Sequence, residues 1–435
     1  MKPLGIVLAM IEPPLPFGSA AGRWYYVLLK GLVERGHKVS AFATCSKPDE
    51  IAAANDLFPA TRYNLNLFQV PSNRRGLLDK WRTLRRPSSY MFSPEFRAAF
   101  REALAHSHDI IHLEQLWCGW LAFGHEARTL VSVHYLLEID LASRYRKAKH
   151  LIWEGEAPAE QPSHYGSAGA SPSRIQLNEN ARSPTRNSAN YPNEWFGLQL
   201  QLSAERRLLG RYRHYRACTE RIGEAIRHRN PIADIGVAPF GFDCALYPYQ
   251  TETSAPVVTL IGSMSWTPSR TAAERLLARL WPEIKRRVPD SKLRIVGWGA
   301  RSALAHTGFE SMNDVEVLEN VADASPYFKE AGLLLYAPIR GSGMKTKIQE
   351  AMAYGIPVVT TSEGVEGLPA VDGVHAGICD DDAGLIDRAV TILSDVKLRN
   401  RMRRSARKMI EAVCDPWKTL DSTERMYQKI IERRQ

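Results

Sequence analysis

"GSGMKTKIQEAMAYGIPVVTT", residues 341–361, decides how this chain is read. Two glycines open it, and apolar residues at Ile348, Ala351 and Met352 then recur three and four apart. The spacing predicts a helix beginning near Met344 or Lys345. "LLLYAP" (333–338) before it and "PVVTT" (357–361) after it are short apolar runs, the mark of buried parallel strands. A strand, a glycine loop, a helix and a second strand form one unit of a doubly wound sheet. In such a sheet the loop stands at the carboxyl end of the strand, where ligands bind.

The same alternation extends outward. "VVTLIG" (257–262), "KLRIVG" (292–297), "VEVLEN" (315–320) and "HAGICD" (375–380) read as further strands, separated by segments of helical period such as "TAAERLLARLWPEIKRRV". In the first half, "LGIVLAM", "GRWYYVLLKGLVERG" and "HKVSAFAT" repeat strand, helix and strand, and "HDIIHLEQ" and "TLVSVHY" continue that sheet. A chain of 435 residues exceeds what one core organises. The expected fold is therefore α/β, with two doubly wound, Rossmann-like domains whose parallel sheets face each other across a cleft. Residues 1–248 form the first domain and 249–415 the second, and a helix over 416–435 is expected to pack back on the first. Residues 154–193, rich in Pro, Ser, Gly and Asn, bury too little to offset their ordering entropy and are expected to be a disordered insertion.

A formal net charge of +10 calls for an anionic partner: nucleic acid, acidic lipid or a phosphorylated substrate. No nucleic-acid-binding module is recognisable, so nucleic acid is not an expected partner. Six scattered cysteines without a C-x-x-C pair suit a reducing, cytoplasmic compartment, and no apolar run is long enough to cross a membrane. Residues 73–101 mix arginines with Leu, Trp, Tyr and Phe, a composition that suits either a solvated helix face or peripheral contact with an anionic membrane surface.

The loop at 341 answers the charge at one point. The helix start offers free backbone N–H groups and a partial positive charge, the glycines allow close approach, and Arg340, Lys345 and Lys347 add full charges. The site calls for an anion such as a diphosphate. Lys347 and Glu350 share a helix face, and a carboxylate there suits hydroxyl groups such as those of ribose. Any one of these side chains, taken alone, reads equally well as a solvated surface charge.

The block over 341–368 resembles the donor-site signature of GT-B fold glycosyltransferases, the large retaining group 1 or family 4-like class. "VAPFGFD" (237–243), "IGSMSWTPSR" (261–270), "DPWKTL" and the opening "PPLPFGSAAGRWYYVLLKGLVERGHKV" match it in order. The resemblance implies transfer of a sugar from a nucleotide-sugar donor to a glycan or lipid-linked acceptor, in cell-surface polysaccharide or glycoconjugate synthesis. It implies that Glu350 holds the ribose as the second glutamate of an E-x7-E motif, whose first position is occupied by Ser342. The backbone N–H groups of Gly343 and Met344 are then expected to meet the sugar hydroxyls. Gly341 and Gly262 belong to the donor loops, Asn320 and Val321 to the loop against the base, and Gly18, Ser19 and Gly22 to a small-residue loop near the donor phosphate. His134, after a strand of the first domain, is expected to contact the sugar. The catalytic set is therefore His134, Lys345, Lys347 and Glu350.

No cofactor and no metal are expected. "CDDDAG" (379–384) superficially resembles a metal-binding D-x-D, but acidic residues opening a helix act as caps. Two other classes fit parts of this sequence: a nucleotide-sugar epimerase on the same double sheet, and a basic nonenzymatic nucleic-acid-binding protein.

Overall fold

The computed structural model describes residues 2–71, 85–140, 191–250, 256–321 and 323–433. The apolar runs form two sheets in which every strand pair is parallel. The first holds β1 (Gly5–Met10), β2 (Lys38–Cys45), β3 (Asn64–Gln69), β4 (Ile110–Glu114), β5 (Thr129–Val133), β6 (His214–Ala217) and β7 (Asp234–Val237), in the order β3-β2-β1-β4-β5-β6-β7. The second holds β8 (Val257–Ile261), β9 (Lys292–Gly297), β10 (Val315–Glu319), β11 (Leu333–Tyr336), β12 (Val358–Thr360) and β13 (Gly377–Ile378), in the order β10-β9-β8-β11-β12-β13. Strand order reverses between β1 and β4 in one sheet and between β8 and β11 in the other.

Central strands are buried along their whole length, as helices on both faces require. The helix Ala20–Glu34 starts on Ser19, whose Oγ accepts the Gly22 N–H at 2.9 Å, and buries Trp24, Tyr25, Leu28 and Leu32. The last two helices join the sheets: Val396–Val413 packs on the helix Thr346–Tyr354, and Pro416–Glu432 packs on Ala20–Glu34. Arg35 meets Glu424 at 2.6 Å and Asp421 at 2.7 Å, which fixes that return.

Four local readings change. The edge strand β3, "NLNLFQ", was not expected. "HAGICD" shrinks to the two residues of β13. The helix after the glycine loop begins at Thr346, with Lys345 as its N-cap. The long helix after β8 contains a π turn over Leu276–Leu280, because Pro282 lacks an N–H and its ring displaces the carbonyl four residues back.

Of the expected insertion, residues 154–190 lie outside the described residues, while 191–193 open the helix Tyr191–Leu209. Residues 73–84 of the arginine-rich segment also lie outside them. Beyond that point Phe92, Phe96 and Phe100 are buried, and Phe42 and Phe68 pack on this cluster, so its aromatic rings serve the core.

Candidate functional site

The reversal of strand order between β8 and β11 lies against the first sheet. Ligands of open α/β sheets sit at such points because adjacent loops diverge there and leave a crevice. On the second sheet the loops follow β8 (from Gly262) and β11 (through Lys345). They meet the loop that follows β5 in the first sheet: Ser342 Oγ accepts the Leu136 N–H at 3.0 Å and lies 3.3 Å from the Leu136 carbonyl. Gly343 has φ +78°, and a β-carbon there would run into the carbonyl oxygen of His134. Glycine is needed at 343 on both counts.

Lys347 projects from the first turn of its helix toward the loop after β8. Its ammonium donates to Ser269 Oγ at 2.7 Å and lies 4.0 Å from the centre of the Tyr336 ring. A β-carbon at Gly262 would collide with it. Burial lowers the Lys347 amine to about 7, with Glu350 opposing that fall and Lys345 adding to it. Lys345 turns the other way, donating to the Gly343 carbonyl at 2.5 Å and standing 3.5 Å from Glu366. The two cations thus flank the helix start from opposite sides.

Glu350 lies on the same helix, buried, and pairs across the interlobe gap with Arg23 at 2.8 Å. Burial raises its carboxyl, while Arg23 and Lys347 pull it back. A carboxylate so placed can accept hydroxyl protons beside a phosphate site.

His134 is fixed from behind. Its Nε2 lies 2.7 Å from Glu114 Oε2, and the same carboxylate accepts from Trp24 Nε1 at 3.1 Å and from Ser132 Oγ at 2.9 Å. Burial alone would raise Glu114, but His112 and His134 hold it well below the usual carboxylate range. Burial lowers His134. A neutral imidazole donating Nε2–H to a carboxylate presents Nδ1 as an acceptor. The network continues from Glu114 to His112 at 3.0 Å and from His112 Nδ1 to the Tyr427 hydroxyl at 2.6 Å.

The other expected residues are placed as follows. Gly341 lies against Lys345 and Pro268, and its carbonyl is 3.5 Å from Arg221. Met344 is buried, and its sulfur accepts the Phe240 N–H at 3.3 Å. Arg340 is exposed. Gly18 is exposed with φ +80°, whereas Ser19 caps its helix and bonds to Glu12, and Gly22 packs on the Pro13 carbonyl. Asn320 has φ +56° and its Oδ1 accepts the Gly299 N–H at 3.1 Å, with the half-buried Val321 beside it. The three aspartates of "CDDDAG" are engaged: Asp380 with Ser362, Asp381 as a helix cap and Asp382 with Arg275 at 2.7 Å.

Arg23, Glu114 and Ser269 belong to this site and were not anticipated. The partners that bring them into the site, Glu350, His134 and Lys347, lie 20 or more residues away along the chain, so no local spacing marks them. The only signal for Glu114 was a charge at the end of the apolar strand "IIHLE".

Comparison with known proteins agrees with this geometry. The model of glycosyltransferase family 4 matches residues 21–246, and that of glycosyl transferases group 1 matches residues 255–395. No curated protein matches the sequence. Among solved structures the chain is similar to Anabaena Alr3699/HepE in complex with UDP-glucose, at 14% identity over 99% of each chain with a TM-score of 0.61. It is similar to sucrose-phosphate synthase from Thermosynechococcus elongatus, at 13% identity over 99% of this chain and 100% of that one, with a TM-score of 0.65. WaaG, a glycosyltransferase involved in lipopolysaccharide biosynthesis, matches at 14% identity over 96% and 98% of the two chains, with a TM-score of 0.59. The two facing parallel sheets are thus the GT-B fold, and the chain, more than half of which fits a single family model, belongs to glycosyltransferase family 4.

Proposed function

We propose that this glycosyltransferase moves a sugar from a nucleoside-diphosphate donor to a glycan or lipid-linked acceptor, with retention at the anomeric carbon and without a metal. The observation that carries this reading is the corner after β11. There a helix N-terminus and two lysines stand at a reversal of strand order, against the loop that carries His134. A diphosphate seated over the first turn of the helix meets partial and full positive charge together. As the bond to the sugar breaks, negative charge grows on the leaving phosphate, and cations already in place stabilise it without reorganising. In a same-face transfer the departing diphosphate accepts the proton of the attacking hydroxyl. The neutral His134 offers Nδ1 to a sugar hydroxyl, and Glu350 accepts from the ribose.

The UDP and UDP-glucose bound by the HepE relative make uridine donors the first to try. Contact with anionic lipid, as a lipid-linked acceptor requires, would rest on arginine charge rather than on the buried rings of residues 92–100. Thermal-shift screening against UDP-, GDP- and ADP-sugars tests the donor site. A ligand at a hundred times its Kd adds about 2.7 kcal/mol of stability. Lys347→Ala and Glu350→Ala are expected to abolish the shift while both variants remain folded, and transfer by the wild type is expected to persist in EDTA. Undiminished donor affinity in both variants would refute the assignment.

A further inference from the structure

The loop after β5 carries a second buried acid. Residues 137–140 form a helical turn whose first N–H groups, of Leu137 and Glu138, donate to the Glu205 carboxylate at 2.8 and 3.0 Å. This anchor sets Asp140 facing the glycine loop of the other sheet, where Ser342, Lys345 and Glu366 act on it and where it in turn acts on the Tyr336 phenol. Both Asp140 carboxylate oxygens are buried, and among the described residues neither meets a donor at hydrogen-bond geometry. The Ser342 hydroxyl is already tied to Leu136, and the Lys345 ammonium is directed to the Gly343 carbonyl. A buried carboxylate left this way is costly and gains stability when a ligand brings donors to it.

The chemistry of the corner selects those donors. A carboxylate repels phosphate, and Lys345, Lys347 and the helix start already provide for the diphosphate. Neutral hydroxyl groups attached to that diphosphate are the remaining donors that fit. We propose that Asp140, across the gap from Ser342, binds hydroxyl groups of the donor sugar, so that the first sheet reads the sugar while the second holds the diphosphate. This rests on the donor site proposed above and assigns the sugar-reading role to a residue of the opposite lobe.

Burial raises the Asp140 carboxyl to about 6, opposed by the nearby Ser342 and Lys345, with Glu366 and Glu205 as the other acids beside it. The ionised form that accepts hydroxyl protons therefore becomes dominant as pH rises through about 6. The affinity gained by adding the sugar to the nucleotide should grow over the same interval.

The test compares each nucleoside diphosphate with its sugar nucleotide by calorimetry, using UDP and UDP-glucose, GDP and GDP-mannose, and ADP and ADP-glucose. For whichever pair binds the wild type, Asp140→Asn is expected to weaken the sugar nucleotide by about tenfold or more, the value of a charged hydrogen bond. Affinity for the bare diphosphate should change less than about twofold, and the pH dependence of the sugar increment should flatten. Asp140→Glu, which keeps the charge, should retain part of the increment. Equal losses for the diphosphate and the sugar nucleotide would show a structural role and overturn the proposal, as would an unchanged increment in Asp140→Asn. If the wild type binds no pair, the donor site itself fails, and this assignment falls with it.

Discussion

Lys347 is the residue in which stability and function most clearly oppose each other. Its amine, lowered by burial to about 7, stays protonated in the unfolded chain up to about 10.4. Between these values the unfolded state binds one more proton, so stability rises with pH across that interval. Below pH 7 both states carry the charge, and the fold bears the full cost of burying it. Lys347→Met is therefore expected to melt at a higher temperature than the wild type at pH 6, with the gap closing toward pH 10. The same variant should lose donor binding. In the wild type, donor affinity should weaken as pH rises above about 7, since the ammonium that faces the diphosphate is then lost. Melting curves across this range decide the matter: a Lys347→Met protein no more stable than the wild type at pH 6 would mean that the amine is not strained.

At the scale of elements, the meeting of the glycine loop with the loop after β5 is the most demanding contact. Gly343→Ala is expected to add the left-handed backbone penalty of about 1–2 kcal/mol to a collision with the His134 carbonyl. Gly373 makes a suitable control, since its φ is +73° but a β-carbon there meets nothing. Gly373→Ala should show the backbone penalty alone in urea denaturation and keep donor affinity, whereas Gly343→Ala should exceed it and lose that affinity. Equal effects would mean that the two loops do not bear on each other. The alternation of buried strands and amphipathic helices in the second half was legible because β8 and β11 are apolar runs broken only by Thr259. The edge strand β3 was not, since Asn64 and Asn66 dilute its pattern and its residues are only half-buried or exposed. Lys345, Lys347 and Glu350 were visible because one loop and one helix carry them all. Arg23, Glu114 and Asp140 act on partners that only the tertiary fold supplies, 327 residues away for the Arg23–Glu350 pair.

Across the whole molecule, the two lobes are joined by the helix pair at the C-terminus as well as by the crevice. The chain crosses at Cys414, whose carbonyl accepts the Phe242 N–H at 2.7 Å, and Asp415 then caps the returning helix by accepting the Lys418 N–H at 2.9 Å. From that helix Tyr427 reaches His112 inside the first sheet, and the network leads through Glu114 to His134 at the crevice. Every member is buried, so removing one hydroxyl leaves an imidazole nitrogen without its partner. Tyr427→Phe keeps the ring that packs edge-on against His112 at 5.6 Å and removes only that hydroxyl. It is expected to cost about 1–3 kcal/mol of stability. Because Glu114 also orients His134, turnover should fall as well. Affinity for the nucleoside diphosphate should hold, since Lys345 and Lys347 stand on the other sheet and share no hydrogen bond with Tyr427. A variant with normal turnover and lowered stability would confine the network to folding, whereas loss of diphosphate affinity would mean that the C-terminal helix sets the spacing of the lobes.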